Sequence, residues 1–199
     1  MIMYLKTLGL LIISIFFAGF ALAQDGEQQI RQMLNERDAE IKKLIGTEGS
    51  SYTQEQRNQL KEIINGVIDF RSMAEFALED TYTEISEERR ERFVELFATI
   101  VRDQSLNRLE IYRAEVEYEE IIVDGNQATV STVAQLENVR TPVGYEMENR
   151  AGEWVVTDFL IDGVSTAGSY NTQFQNIIRQ RGFDALFDSL ERRAARSST

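Results

Sequence analysis

The chain has 199 residues, no cysteine, no histidine and a net charge of −12. Without thiols or imidazoles it has no disulfide, no thiol nucleophile, no Ser-His-Asp triad, no haem held by His or Cys and no common zinc site. An enzyme would be left carboxylates, tyrosines, lysines and serines, and the acidity disfavours both nucleic acid and an anionic bilayer surface.

The chain opens with Lys6, the apolar run "TLGLLIISIFFAGF" and Ala21-Leu22-Ala23 before Gln24. That is the order of a secretory signal peptide, and the run is shorter than the roughly 20 residues of a membrane span. Residues 1–23 carry one basic and no acidic residue. The expected mature chain, 24–199, therefore bears −13, and its 176 residues suffice for one soluble domain with a sizeable core.

Ile30, Met33, Leu34, Ile41, Leu44 and Ile45 recur at helical spacing, Gly46 stops the run, and "GTEGSS" reads as a loop. Thr53 and Gln56 form a capping box for a second helix with Leu60, Ile63 and Ile64 on its apolar stripe. Asp69 caps a third helix whose Phe70, Met73, Phe76 and Ala77 are expected to face inward. Ser86 caps what the pattern makes the longest helix. Its inner face is Phe93, Leu96, Phe97, Ile100, Val101, Leu109 and Tyr112, about seven turns.

After Arg113 the period becomes two. Strands are expected at Val116–Val123 and Ala128–Leu136, joined by the hairpin signal "DGN". Pro142 is placed in a loop. The third strand puts Val143, Tyr145 and Met147 on one face, and Ala151-Gly152 turns into "GEWVVTDFLIDGVS". Simple alternation sends Trp154, Val156 and Leu160 one way, and Val155, Phe159 and Ile161 the other. A strand apolar on both faces raises the question of what its second face buries. Helices return from Tyr170 to Gln180, break at Gly182, and resume with Phe183, Leu186, Phe187 and Leu190. The arginine-rich end, "RQRGFDALFDSLERRAARSST", complements a helix dipole. The order of helices, antiparallel meander and helices predicts an α+β domain.

Three stretches, "IDFRSMAEFAL", "RFVELFATIVRDQSLNRLEIYR" and "GEWVVTDFLIDGVSTAGSYNTQFQNIIRQRGFDALFDSL", resemble the MlaC family of toluene-tolerance type periplasmic phospholipid-binding proteins. The resemblance implies an NTF2-like fold, with helices packed on a curved antiparallel sheet around an apolar lipid cavity. It also implies a periplasmic shuttle without catalytic residues or cofactor. That shuttle, a monomer, passes phospholipid between an outer-membrane lipoprotein complex and an inner-membrane ABC transporter complex. Relatives are often basic; this chain is acidic, so no headgroup or partner contact is carried over.

On that reading Val130, Val133, Leu136, Tyr145, Met147, Val156, Phe159 and Ile161 form one wall of the cavity. Phe76, Leu78, Phe93, Phe97, Ile100, Val101, Phe174 and Ile177 form the other. The same residues also describe an ordinary filled core. Two rivals stand beside the carrier. One is an isomerase-like enzyme using Asp158 with Tyr145 or Tyr170. The other is a ligand-free adaptor. Asp162-Gly163 and Asp124-Gly125 read as turn chemistry. The clusters "EYEE" and "SEERRERF" lack calcium-loop spacing and read as solvated faces.

Overall fold

The computed structural model describes the backbone of residues 4–46, 52–106 and 109–197, with side chains for 25–46, 52–104, 106 and 111–196. The side chains of the expected leader, 1–23, and most of the "GTEGSS" loop lie outside those residues. No helix among the described residues is long and apolar enough to cross a membrane.

Helices α1 (Tyr4–Ile45), α2 (Gln54–Asn65), α3 (Phe70–Leu78), α4 (Asp80–Glu84) and α5 (Glu87–Leu106) come first. A 3-10 turn, Leu109–Arg113, leads into β1 (Glu115–Asp124), β2 (Gln127–Leu136), β3 (Val139–Arg150), β4 (Glu153–Ile161) and the two-residue β5 (Val164–Ser165). Helix α6 (Thr166–Ser197) ends the chain. The sheet is an antiparallel meander in the order β1-β2-β3-β4-β5. The fold is α+β.

Local signals set the helix starts. The Thr53–Gln56 capping box is formed, and Gln56 Nε2 also donates to Leu44 O at 2.8 Å, tying α2 to the end of α1. Asp69 accepts from Ser72 N at 3.0 Å, and Ser86 Oγ accepts from Arg89 N at 3.4 Å. The fifth helix is shorter than its pattern predicts, 20 residues, and α1 exceeds it; α6 is two shorter helical stretches joined at the non-helical Gly182. Beyond it Arg113 anchors the 3-10 turn to the end of α1, donating to the carbonyls of Ile45 and Gly46. Tyr112 therefore lies in that turn and not on α5.

Within α3 the buried residues are Phe70, Met73, Ala74, Ala77 and Leu78. Phe76 lies roughly 240° round the helix from Phe70 at about 100° per residue. It is 57% exposed, contrary to the expectation that it faces inward.

Pro142 sits inside β3, opposite Val133 of β2, and not in a loop. Its carbonyl accepts from Asp162 N at 3.0 Å. A residue's N–H and C=O share one edge of a strand, so the missing N–H faces the fraying end of β4 and spares the β2–β3 ladder.

Two bulges rotate the sheet's faces. In β4 the register jumps from Glu146↔Asp158 to Met147↔Val156, leaving Thr157 as the extra residue. In β1 Glu119 plays the same part. The β4 bulge flips the alternation. Trp154, Val156, Phe159 and Ile161 share one face; Val155, Asp158 and Leu160 share the other. The simple alternation above is corrected accordingly, and the strand is apolar on one face with a change of phase in the middle.

The free edge of β4 is covered at both ends. Val156 N donates to Val67 O and Asp69 N donates to Val156 O, each at 2.8 Å, while Leu160 and Ile161 pair with β5. Asp162 and Gly163 make the intervening turn with φ of +51° and +75°, the positive pair a tight hairpin needs. Asp158 then starts α6. Its carboxylate accepts from Ala167 N at 2.9 Å and from the Ser165 hydroxyl, which itself accepts from Gly168 N at 2.8 Å.

Helix α6 folds back on itself at Gly182, whose φ of +81° is open to glycine at little cost. Phe174 packs on Phe93 and Phe97 before the kink, Phe183 packs on Phe93 after it, and Arg89 pairs with Asp184. Asn171 and Gln175 donate to the carbonyls of Phe76, Ala77 and Leu78, satisfying the orphan end of α3.

Asp158→Ala is expected to lower stability by about 2 kcal/mol, because it strands the donors at the start of α6. A urea unfolding midpoint that does not move would contradict this assignment.

Candidate functional site

Strand register decides which side chains face the helices. The inner face carries Tyr118, Ile121 and Val123 of β1 and Ala128, Val130, Thr132 and Leu136 of β2. From β3 and β4 it carries Val143, Tyr145, Met147, Val156, Phe159 and Ile161. The outer face carries Glu115, Glu117, Glu120, Glu146, Glu148 and Glu153. Val133 falls on that outer face, one residue out of phase with Val130, so it cannot line the space between sheet and helices.

The apolar interior is two cores. One gathers α3, α5 and α6, with Met73, Leu78, Phe93, Phe97, Ile100, Val101, Phe174 and Leu186 buried. Phe97 meets Tyr170 edge-on at 5.0 Å between ring centroids, and Phe93 and Phe97 stack at 6.0 Å. The other joins the inner sheet face to α1 through Ile30, Met33 and Leu34 over Ala128, Val130, Met147, Trp154 and Val156. Among the described residues, the two share only Ile68 and Phe159, both partly buried. Between them runs a seam, bordered on the sheet side by Tyr145 and Phe159.

The expected wall residues divide accordingly. Leu78, Phe93, Phe97, Ile100, Val101 and Phe174 are buried in the helix core, with Ile177 half-buried against it. Val130, Met147 and Val156 lie in the sheet core, with Tyr145 against it, and Phe159 joins both. Leu136 is inward but in neither core, and Ile161 is 41% exposed at the open end of the sheet. Phe76 and Val133 lie elsewhere. What reading by residue type overlooked is α1. Its stripe at Ile30, Met33 and Leu34 is plain in the sequence, but nothing there says that it lies across the sheet.

Tyr145 is half-buried on the inner face, and desolvation raises the pKa of its phenol, with the nearby Tyr118, Tyr112 and Asp38 adding to the shift. Tyr170 is 5% exposed, and its hydroxyl makes no hydrogen bond of good geometry. Desolvation raises its pKa too, opposed by the Arg193 guanidinium. Asp158, the expected base of an isomerase, lies on the outer face opposite Glu146 and is occupied by the start of α6. Its oxygens accept from the Ser165 hydroxyl and the Ala167 amide, and it lines neither recess described below, so among the described residues it is paired with neither Tyr145 nor Tyr170 as proton transfer at a carbonyl would require.

Among the described residues, recesses open from the surface at two places that bear on the site. One, about 520 Å³, lies over α5 between Phe70 and the end of α6, rimmed by Glu95, Arg102 and Glu191. The other, about 250 Å³, lies where α5, the β4–β5 turn and α6 meet, against Ile161 and Tyr170. Neither is an enclosed apolar chamber, and the second sits at the open end of the seam.

These features define an α+β protein whose helices wrap one face of an antiparallel meander around a divided apolar interior. A model of the MlaC protein matches residues 38–192, and the chain belongs to the MlaC family. A phospholipid-binding protein from Ralstonia solanacearum, solved in complex with a phospholipid, has a similar fold. It matches with a TM-score of 0.73 at 19% identity, over 86% of this chain and 98% of that one. No curated protein matches the chain.

The phenol at Tyr145 carries a pH signature. Its folded pKa lies above the ordinary value of 10.0, so its contribution to stability is complete below that pH. It is lost as pH rises beyond, where the unfolded chain ionises first. Tyr145→Phe should flatten the fall in stability between about pH 9.5 and 11. Identical alkaline unfolding curves for the two proteins would show that Tyr145 is not desolvated.

Proposed function

We propose that this protein is a periplasmic phospholipid carrier whose acyl cargo occupies the seam between the sheet core and the helix core. The observation that carries the reading is the inner sheet face. Its apolar residues beneath α1, Val130, Met147 and Val156, continue along the same face to Phe159 and Ile161 at the aromatic helix core, yet among the described residues only Ile68 and Phe159 join the two cores. Family membership and the phospholipid held by the Ralstonia solanacearum relative support the choice of ligand.

Enclosure follows from the cargo's chemistry. Two tails of about 15 methylenes each would cost roughly 25 kcal/mol in bare water at about 0.8 kcal/mol per methylene. Transfer from a bilayer to an apolar seam cancels most of that, so exchange is close to neutral. An unladen apolar seam closes on itself or stays dry. Direction must come from partners, because the sequence has no G-x-x-x-x-G-K-[ST] loop to bind a nucleotide. In this account residues 1–23 are a cleaved leader and the mature protein acts as a monomer. It exchanges lipid between an outer-membrane lipoprotein complex and an inner-membrane ABC transporter complex, without catalysis or cofactor. A mature charge of −13 keeps it off anionic headgroups and suits delivery by protein contact.

The tight packing of Phe93, Phe97 and Phe174 favours one alternative, an adaptor that holds no ligand. Mass spectrometry of the denatured protein decides between them. The carrier co-purifies with close to one diacyl phospholipid per chain and extracts lipid from vesicles. A protein that does neither is the adaptor.

A further inference from the structure

The inner face of the sheet is not covered along its whole length. Beneath α1, Val130, Met147 and Val156 are at most 2% exposed. At the other end the same face carries Leu136 and Val139 beside the β2–β3 turn, Val143 on β3, Ile161 on β4 and, opposite Ile161, Val164 on β5. Val139 is 65% exposed, Val164 59% and Ile161 41%. The other large apolar residues exposed among those described, Phe76, Ile111 and Ile122, lie apart on α3, the 3-10 turn and the outer side of β1. Single exposed apolar side chains are ordinary, whereas several on one face mark a contact surface.

Carboxylates flank this strip. Glu137 stands in the β2–β3 turn and Asp162 in the β4–β5 turn; both are exposed, and neither side chain has a partner among the described residues. Arg140, near the same tip, is held by Glu117 at 3.2 Å. An anionic bilayer would meet these carboxylates and a mature charge of −13 unfavourably. A symmetric contact with a second copy would set like charges against one another. The complement is a protein surface with an apolar centre and lysine or arginine around it. The strip also leads inward: Ile161 continues to Phe159 on the same face of β4, where the two cores meet.

We propose that the open end of the inner sheet face, centred on Val139, Ile161 and Val164, is where the carrier docks on a basic-rimmed protein partner. A partner seated there covers the end of the seam, so an acyl chain passes between the two proteins without crossing water. The proposal rests on the carrier reading above and adds to it the surface and the charge of the partner.

The test loads the protein with a diacyl phosphatidylethanolamine and follows transfer to liposomes carrying the inner-membrane complex named above, and to protein-free liposomes of the same lipids. Two paired variants are compared with wild type. One is Val139→Ser with Val164→Ser. The other is Glu137→Asn with Asp162→Asn, since asparagine suits the positive φ of +54° and +51° there. Wild type should transfer faster where the complex is present, and added salt should slow it. Each pair should slow that transfer about five- to tenfold while holding as much lipid per chain as wild type. The asparagine pair should also lose the salt dependence. Two pairs at exposed positions keep the test decisive if one misfolds. Unchanged transfer by the variants, or wild-type transfer no faster with the complex than without, overturns the proposal and leaves the carrier intact. Equal loss of transfer to both kinds of liposome makes the strip a bilayer contact and overturns it too. Wild type that holds no lipid overturns the carrier reading as well.

Discussion

The extra residue at Thr157 governs what the sheet offers the rest of the molecule. Without it, β4 would turn either Val156 or Phe159 outward, because a strand's faces alternate strictly. With it, Val156 stays beneath α1 in the sheet core, and Phe159 and Ile161 continue the same face towards α5 and α6. One strand thus serves two cores, and the phase change marks where they meet. The outer face gains as well: Asp158 lands beside Ser165, where its carboxylate accepts the donors that begin α6.

That placement links sheet and helices in sequence. The start of α6 is fixed by Asp158, and its first turns carry Tyr170 and Phe174 against α5. Asn171 and Gln175 on another side close the end of α3. The kink at Gly182 then returns the chain along α5 with Phe183 and Leu186 inward. Asp69, the cap of α3, also pairs with Arg150 at the far end of β3 at 3.1 Å. Helices α3 and α6 are therefore pinned to the sheet by hydrogen bonds at their ends, while among the described residues the apolar link between their core and the sheet core narrows to Ile68 and Phe159. Such an interior separates more readily along the seam than across either core.

Elements whose signals are local could be read from sequence. The Thr53–Gln56 box, the Asp69 cap, the Asp124-Gly125 hairpin and the break at Gly182 need no distant partner, and each stands as its residues imply. The α+β class followed from the switch of period after Arg113. What local patterns missed depends on the fold. The bulges at Glu119 and Thr157 carry no glycine or proline to announce them. Pro142 is acceptable in a strand only because β4 frays opposite it. Phe76 is apolar yet exposed because Ala74 and Leu78 occupy the inner side of a nine-residue helix. Among the expected wall residues, Val133 was chosen by type, and only register shows that it faces away. Asp158 resembled a buried base because its neighbours are apolar; its partners are the Ser165 hydroxyl and backbone amides that no sequence pattern displays.

The central claim is that fatty chains lie between the inner sheet face and α5–α6, at Phe159. A phospholipid with a photoreactive diazirine near the end of one acyl chain tests it most directly, through the peptides it labels on irradiation. The account predicts adducts concentrated in β3–β4 between Val143 and Ile161 and in α5 between Phe93 and Val101, and few on the acidic outer face. Labelling confined to the outer sheet face or to the groove over α5, or no labelling above a dark control, would contradict it.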